Sequence, residues 1–178
     1  MNQLELFEAA KPPVRKKARY DHPDMRIQPM LVLHEAPDLR GVYRHAANQP
    51  DDVARMLEQS IGKMDREVFV AIGLSARQWI VGIRIVTVGI LNATLVHQRE
   101  TYRAAVEMNA AALIVAHNHP SVDPTPSRED LKITGDLIQA GRVLGIKLQD
   151  HIIIGRRNPP EPRFYCSIRE SGLVMFED

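Results

Sequence analysis

Cysteine is almost missing from this chain. One residue in 178, Cys166, cannot make an internal disulfide, and no CxxC pair exists to hold zinc or run redox chemistry. Any metal site therefore has to be built from histidine and carboxylate. Net charge is scarce as well: 23 Lys and Arg against 22 Asp and Glu give no sign of a nucleic-acid coat, an acidic tail or a membrane-surface protein. No apolar run approaches the roughly 18 residues needed to cross a bilayer. No secretory leader opens the chain, so a cytoplasmic protein with no membrane partner is expected. No internal repeat is visible.

What remains is an ordinary soluble composition, 44% hydrophobic and 25% charged, long enough for one buried core plus a tail. Residues 1–28 read as that tail. "AAKPPVRKKARYDHPD" is rich in Pro, Lys and Arg and has no periodic apolar face, so a flexible linker is expected. Within it, Arg15-Lys16-Lys17-x-Arg19 is either a weak nucleic-acid contact or a solvated charge run.

Residues 29–178 read as one globular domain. "MLVLHE" (30–35) predicts a short strand, and "DDVARMLEQSIGKM" (51–64) an amphipathic helix entered near Gln49-Pro50-Asp51 with Asp as its cap. "EVFVAIGL" (67–74) is a continuous apolar run of strand length, which implies burial on both faces. "WIVGIRIVTVGI" (79–90), rich in β-branched residues, predicts the next strand of a hairpin. A helix over 98–110, a buried strand over 111–119 and a helix from Ser127 to about Gly145 follow. A strand over 149–155, a surface turn to Pro162 and edge strands in "RFYCSI" and "LVMFE" complete the order. Interleaved strands and helices predict an α/β or α+β fold with a mixed sheet.

The chemistry is concentrated in "AHNHPSVDPTPSRED" (116–130). Alternate residues of a strand project to the same side, so His117 and His119 at a strand's end can aim both imidazoles at one point. Asn118 points the other way, and Pro120 stops the strand. Asp130 can return to the site across a loop whose freedom Pro124 and Pro126 reduce. Two imidazoles and one carboxylate leave the fourth tetrahedral position of Zn²⁺ to water, the pattern of a catalytic site. Such water has a pKa of roughly 7 and needs a carboxylate to relay its proton. Ser127 can donate to the oxyanion formed on attack. Ser127-x-x-Asp130 is also what a helix N-terminus wants, Ser127 capping and Asp130 complementing the dipole. The two readings are compatible.

These residues resemble the JAMM metal motif, HxHP followed by SxxD, of the JAB/MPN metalloproteases, and more narrowly the RadC-like branch. The likeness extends through "LVHQRETYRAAVEMNAAALIVAHNHP", "LQDHIIIG" and "SIRESGLV", roughly residues 45–178. It implies a curved mixed β-sheet flanked by helices, a cytidine-deaminase-like arrangement. It further implies His117, His119 and Asp130 as zinc ligands, Ser127 as support for the tetrahedral intermediate, and Glu67 as general base. Glu100 is a second carboxylate, better placed as a helix N-terminal charge. Asp150-His151 suits a supporting hydrogen bond rather than ligation. His22, His34, His45 and His97 have no partners at useful spacing. Two departures stand out. Val122 occupies a place where the pattern usually has Gly, and the helix-hairpin-helix region of longer RadC-like proteins is replaced by the basic linker.

"NQLELF" (2–7) resembles the short QLxLF peptide by which bacterial proteins dock on the replication sliding clamp. Leu4, Leu6 and Phe7 would supply apolar contacts and Gln3 a hydrogen-bonding anchor. Alternatively the stretch is the first turn of an amphipathic helix. Three functions follow: a zinc hydrolase acting on a peptide, isopeptide or related amide bond, with a link to DNA repair or replication; a non-catalytic MPN-like scaffold on the clamp; or a metal-dependent nucleic-acid enzyme. The last is poorly served by a donor set with one carboxylate, since phosphodiester cleavage usually uses two metals.

Overall fold

The most continuous apolar runs of the sequence become the central strands. The computed structural model describes residues 49–89, 96–121, 123–155 and 164–176. The tail with Gln3–Phe7 and Arg15–Arg19, the expected strand over 30–35, His22, His34, His45, Val122 and residues 156–163 lie outside the described residues.

Helix α1 (Pro50–Ser60) leads to strand β1 (Val68–Leu74), hairpin partner β2 (Ile80–Val88), helix α2 (Gln98–Glu107) and strand β3 (Ala112–Asn118). Helix α3 (Arg128–Leu144), strand β4 (Lys147–Ile154), the three-residue strand β5 (Tyr165–Ser167) and the single turn α4 (Ile168–Ser171) follow. The five strands form one mixed sheet in the order β2-β1-β3-β4-β5. Only the β3–β4 pair is parallel. Helix α3 makes the crossover that such a pair requires.

All seven residues of β1 and of β3 are buried, as runs without alternation imply. One face of the sheet, with Val70, Ile72, Ile114 and Ile152, packs on Val53, Ala54 and Leu57 of α1. The other, with Phe69, Ala71, Leu113 and Val115, packs on Tyr102 and Ala105 of α2 and Leu137 of α3. At Gly141 a Cβ would collide with the Tyr102 hydroxyl and lie 2.6 Å from the Ile146 carbonyl oxygen. That missing carbon lets Tyr102 donate to Leu137 O at 2.8 Å and draws α2 against α3. Gly145 ends α3 in the left-handed region, φ 68°, where glycine carries no Cβ penalty.

Several boundaries differ from expectation. Asp51 does not cap α1. Gln49 is its N-cap and makes no side-chain bond; Pro50, which has no N–H to satisfy, opens the helix, and both aspartates lie in the first turn. The helix stops at Ser60 rather than residue 64: the Ile61 amide still makes a helical bond to Leu57 O, but the Gly62 amide turns back five residues to the same oxygen. Helix α2 ends three residues early, Asn109 taking φ 52°. No strand forms over Leu173–Phe176. Ser167 accepts from the Glu170 amide, starting α4 at the point where "RFYCSI" was expected to continue extended, and Gly172 ends it at φ 68°. Leu173 and Met175 remain exposed, while Phe176 packs against the Phe69–Leu113 core without pairing as a strand.

Candidate metal centre

The site grows out of the alternation of β3. Leu113, Val115 and His117 face α2 and α3, and His117 is 1% exposed. Phe69 opposes it in register on β1 and stacks on its ring, centroids 5.9 Å apart at 13°. The chain stays extended past the end of β3 because His119 N donates to Ile154 O at 2.8 Å. His119 therefore turns to the same side, and the two Nε2 atoms stand 3.0 Å apart.

Asp130 comes from α3. Ser127 and Asp130 form a complete capping box, with Asp130 N donating to Ser127 Oγ at 3.1 Å and Ser127 N donating to Asp130 Oδ2 at 2.7 Å. The Ser127 hydroxyl adds a third bond to the same carboxylate oxygen at 2.6 Å. Thus held, Asp130 Oδ1 lies 3.3 Å from His117 Nε2, and Oδ2 lies 3.6 Å from His119 Nε2. Among the described residues these three side chains are the one group of histidines and carboxylates that can jointly hold an ion, all donor atoms within 4.8 Å of one another.

The nitrogens turned away from the cluster are engaged. His119 Nδ1 lies 2.7 Å from Asp123 O, and a carbonyl only accepts, so Nδ1 carries the proton and Nε2 of the neutral ring carries a lone pair. His117 Nδ1 faces His151 Nε2 at 2.9 Å. Two imidazole nitrogens 3.0 Å apart beside a carboxylate form a set of electron-pair donors with little to donate to, which is what a cation needs.

Electrostatics agree with that reading at His117 and Asp130 and work against it at His119. Burial, with the neighbouring His119, pushes His117 down to about 4 despite the attraction of Asp130. Burial also works against charging His119, but hydrogen bonds to Asp130 and Asp123 and the charges of Asp130 and Glu67 outweigh it and raise that ring. Burial would raise Asp130, yet the bonds from His119 and Ser127 and the charge of His117 hold it well below the usual carboxylate range. A low Asp130 and a neutral His117 are the protonation states that metal ligation requires, whereas the raised His119 has to release its proton to an arriving ion.

Glu67 sits immediately before β1, half-buried, its carbonyl accepting from Gly89 N at 2.8 Å. Its carboxylate is close enough to His119 to act on that ring's charge. Glu100 is elsewhere, bridged to Arg99 and Arg103 on α2 at 3.1 and 3.0 Å. His97 is exposed at the start of α2.

Three supporting residues were not singled out from the sequence. Asn118 projects to the face opposite His117, where Oδ1 accepts from Val68 N at 2.8 Å and Nδ2 donates to Arg66 O at 3.0 Å and Met64 O at 3.4 Å. It clasps the segment that carries Glu67. Asp123 folds its own loop by accepting from Thr125 N and Oγ1 at 2.9 and 2.6 Å, a turn that Asp-Pro-Thr-Pro could have signalled. Thr134 contacts His151 at 2.6 Å from α3, and no local pattern reveals that.

Comparison with known proteins points the same way. The family model for the RadC-like JAB domain matches residues 47–173. The chain belongs to that family. Over 131 residues this RadC-like JAB domain chain is 40% identical to a UPF0758 protein of Desulfitobacterium hafniense and 46% identical to one of Moorella thermoacetica. Each match covers 74% of this chain and 55% of the relative. A UPF0758 protein of Caldanaerobacter subterraneus is 39% identical over 132 residues, 74% of this chain and 54% of its own. The chain thus spans about half the length of these curated relatives. No helix among the described residues is long and apolar enough to cross a membrane.

Proposed function

We propose that this RadC-like JAB domain is a zinc-dependent hydrolase acting on a peptide, isopeptide or related amide bond. The observation that supports it most is the convergence of His117 Nε2, His119 Nε2 and an Asp130 carboxylate oxygen, three donors that leave a tetrahedral ion one position short. These residues would hold the ion. Zinc, when bound, supplies Lewis acidity that makes water nucleophilic near neutral pH.

The rest falls to the protein. Glu67, half-buried and near enough to His119 to influence its charge, would take the proton of the attacking water and return it to the leaving amine. Ser127 donates its hydroxyl to Asp130 in the structure, and the separate Ser127 N–H bond holds that carboxylate. The hydroxyl hydrogen would turn from Asp130 to an oxyanion while Ser127 Oγ keeps the cap bond from Asp130 N and Ser127 N–H keeps the carboxylate, a contribution of about 3 kcal/mol to the barrier by analogy with other oxyanion donors. Metal analysis with Glu67→Gln tests this on a peptide library. About one zinc per chain in both proteins, with hydrolysis lost only in the variant, is expected. Zinc without turnover in the wild type would favour a scaffold instead.

For partners we propose a peptide or protein substrate and, through Gln3–Phe7, the bacterial sliding clamp. Deleting residues 1–8 should abolish binding to purified clamp, and unchanged binding sinks that part.

A further inference from the structure

Two imidazoles facing nitrogen to nitrogen can be polarised either way, and only one way leaves His117 able to bind a cation. A single proton lies between His117 Nδ1 and His151 Nε2, 2.9 Å apart. If that proton belonged to His151, neutral His117 would carry its own on Nε2, the atom aimed at Asp130 and His119. Nε2 would then have no lone pair to give.

The direction is set one residue farther out. Thr134 Oγ1 lies 2.6 Å from Asp130 O, four residues back on α3, and 2.6 Å from His151 Nδ1. The carbonyl only accepts, so it takes the single hydroxyl proton, and the hydroxyl accepts from His151 Nδ1 in turn. His151 is 0% exposed, where an imidazolium would be costly, so with Nδ1 protonated its Nε2 is bare. His151 Nε2 therefore accepts from His117 Nδ1, and His117 Nε2 keeps its lone pair. The circuit starts at the backbone carbonyl of Asp130 and ends beside the carboxylate of the same residue.

We propose that Thr134 and His151 are positioning residues that fix His117 in the one tautomer able to bind zinc. This rests on the metal-centre reading and extends it to two residues outside the donor set. Phe69 braces the pair, stacked on His117 and edge-on to His151 at 5.5 Å and 67°. Behind a ligating histidine a carboxylate or carbonyl is the usual acceptor. A neutral imidazole orients the ring without pushing negative charge onto it.

The test uses the full chain with two independent readouts. Nitrogen-15 NMR of the zinc-free protein reports which His117 nitrogen is protonated, and titration with Zn²⁺ reports affinity. Wild type and Thr134→Ser should show His117 protonated on Nδ1 and bind zinc alike. Thr134→Val keeps the shape, removes the hydroxyl, and should give mixed tautomers with zinc bound about tenfold or more weakly. Wild-type His117 protonated on Nε2 overturns the proposal, as does Thr134→Val with the tautomer and affinity of the wild type. The wild-type tautomer decides the matter even where a variant does not fold. A fixed Nδ1–H tautomer in a protein that takes up no zinc supports the relay and overturns the metal reading alone.

Discussion

The side-chain oxygen of Asn118 accepts the backbone N–H of Val68, the residue after Glu67, at 2.8 Å, tying positions fifty apart in sequence. The amide nitrogen of the same side chain donates to the carbonyls of Arg66 and Met64, and the residue is 1% exposed. No other side chain of this size offers one acceptor and two donors in that geometry. Asn118→Asp would aim a buried carboxylate oxygen at two carbonyls. A loss of about 3 kcal/mol in urea unfolding is expected, and about 1–2 kcal/mol for Asn118→Ala. If the protein is the hydrolase proposed above, with Glu67 as its base, both variants should also lose peptide hydrolysis under conditions where they remain folded, because the clasp holds the segment that carries Glu67. Unchanged unfolding midpoints would show that the clasp contributes nothing.

Gly141 lies where α3 is packed directly against Tyr102 of α2. A methyl there meets not only the Tyr102 hydroxyl, which can move, but the Ile146 carbonyl at 2.6 Å, which is backbone and cannot easily do so. Gly141→Ala gains helix propensity but forces the two apart. A net destabilisation of about 1–3 kcal/mol is expected, read from thermal or urea unfolding. A more stable variant would mean that the helix end repacks freely.

Local pattern made the centre of this fold readable. β1 and β3 are apolar runs of strand length, and α3 carries both a capping serine and a terminal glycine, so their identities and ends agree with expectation. The ends of α1 and α2 and the stretch after Gly172 did not, since they depend on which amides turn back and whether a neighbouring strand is there to pair with. In the site, the His117–His119 pair is local, two residues on one strand, and Asp130 is fixed by a helix cap. His151 and Thr134 reach the same place through the parallel β3–β4 pairing and the packing of α3, and Asn118 reaches the Glu67 segment from the opposite face through the β1–β3 register. Such contacts between distant segments leave no periodic trace.

Asp130 joins two tasks, closing the α3 capping box and completing the donor set, and Asp130→Asn separates them. The amide can still accept from the Ser127 N–H, so α3 should start where it does now. The neutral oxygen is a poor partner for a dication. Zinc content is expected to fall from about one per chain to background, with helix content by circular dichroism unchanged. If zinc is the ion this centre holds, a chelator should lower the wild-type unfolding temperature by an amount that grows with the free zinc it removes. Equal zinc in wild type and variant would remove Asp130 from the ligand set.

Stability without metal should depend on pH in a predictable sense. His117 is neutral in the fold and protonates only near 4, against an ordinary value of 6.5, and His151 is lowered in the same direction, in both cases chiefly by burial. Between those two pH values the unfolded chain takes up protons that the folded chain refuses. Unfolding therefore gains free energy as pH falls: the stabilisation is complete above 6.5 and is lost progressively down to about 4. His119 is raised, so its own contribution is present at low pH and fades as pH rises through its folded value. It opposes the trend set by the two buried rings. Urea unfolding in the presence of chelator should show stability falling by about 1 kcal/mol or more per pH unit between pH 6.5 and 5. With saturating zinc the fall should steepen, because protons then compete with the ion for the same nitrogens. A flat profile over that interval would mean that His117 and His151 reach solvent.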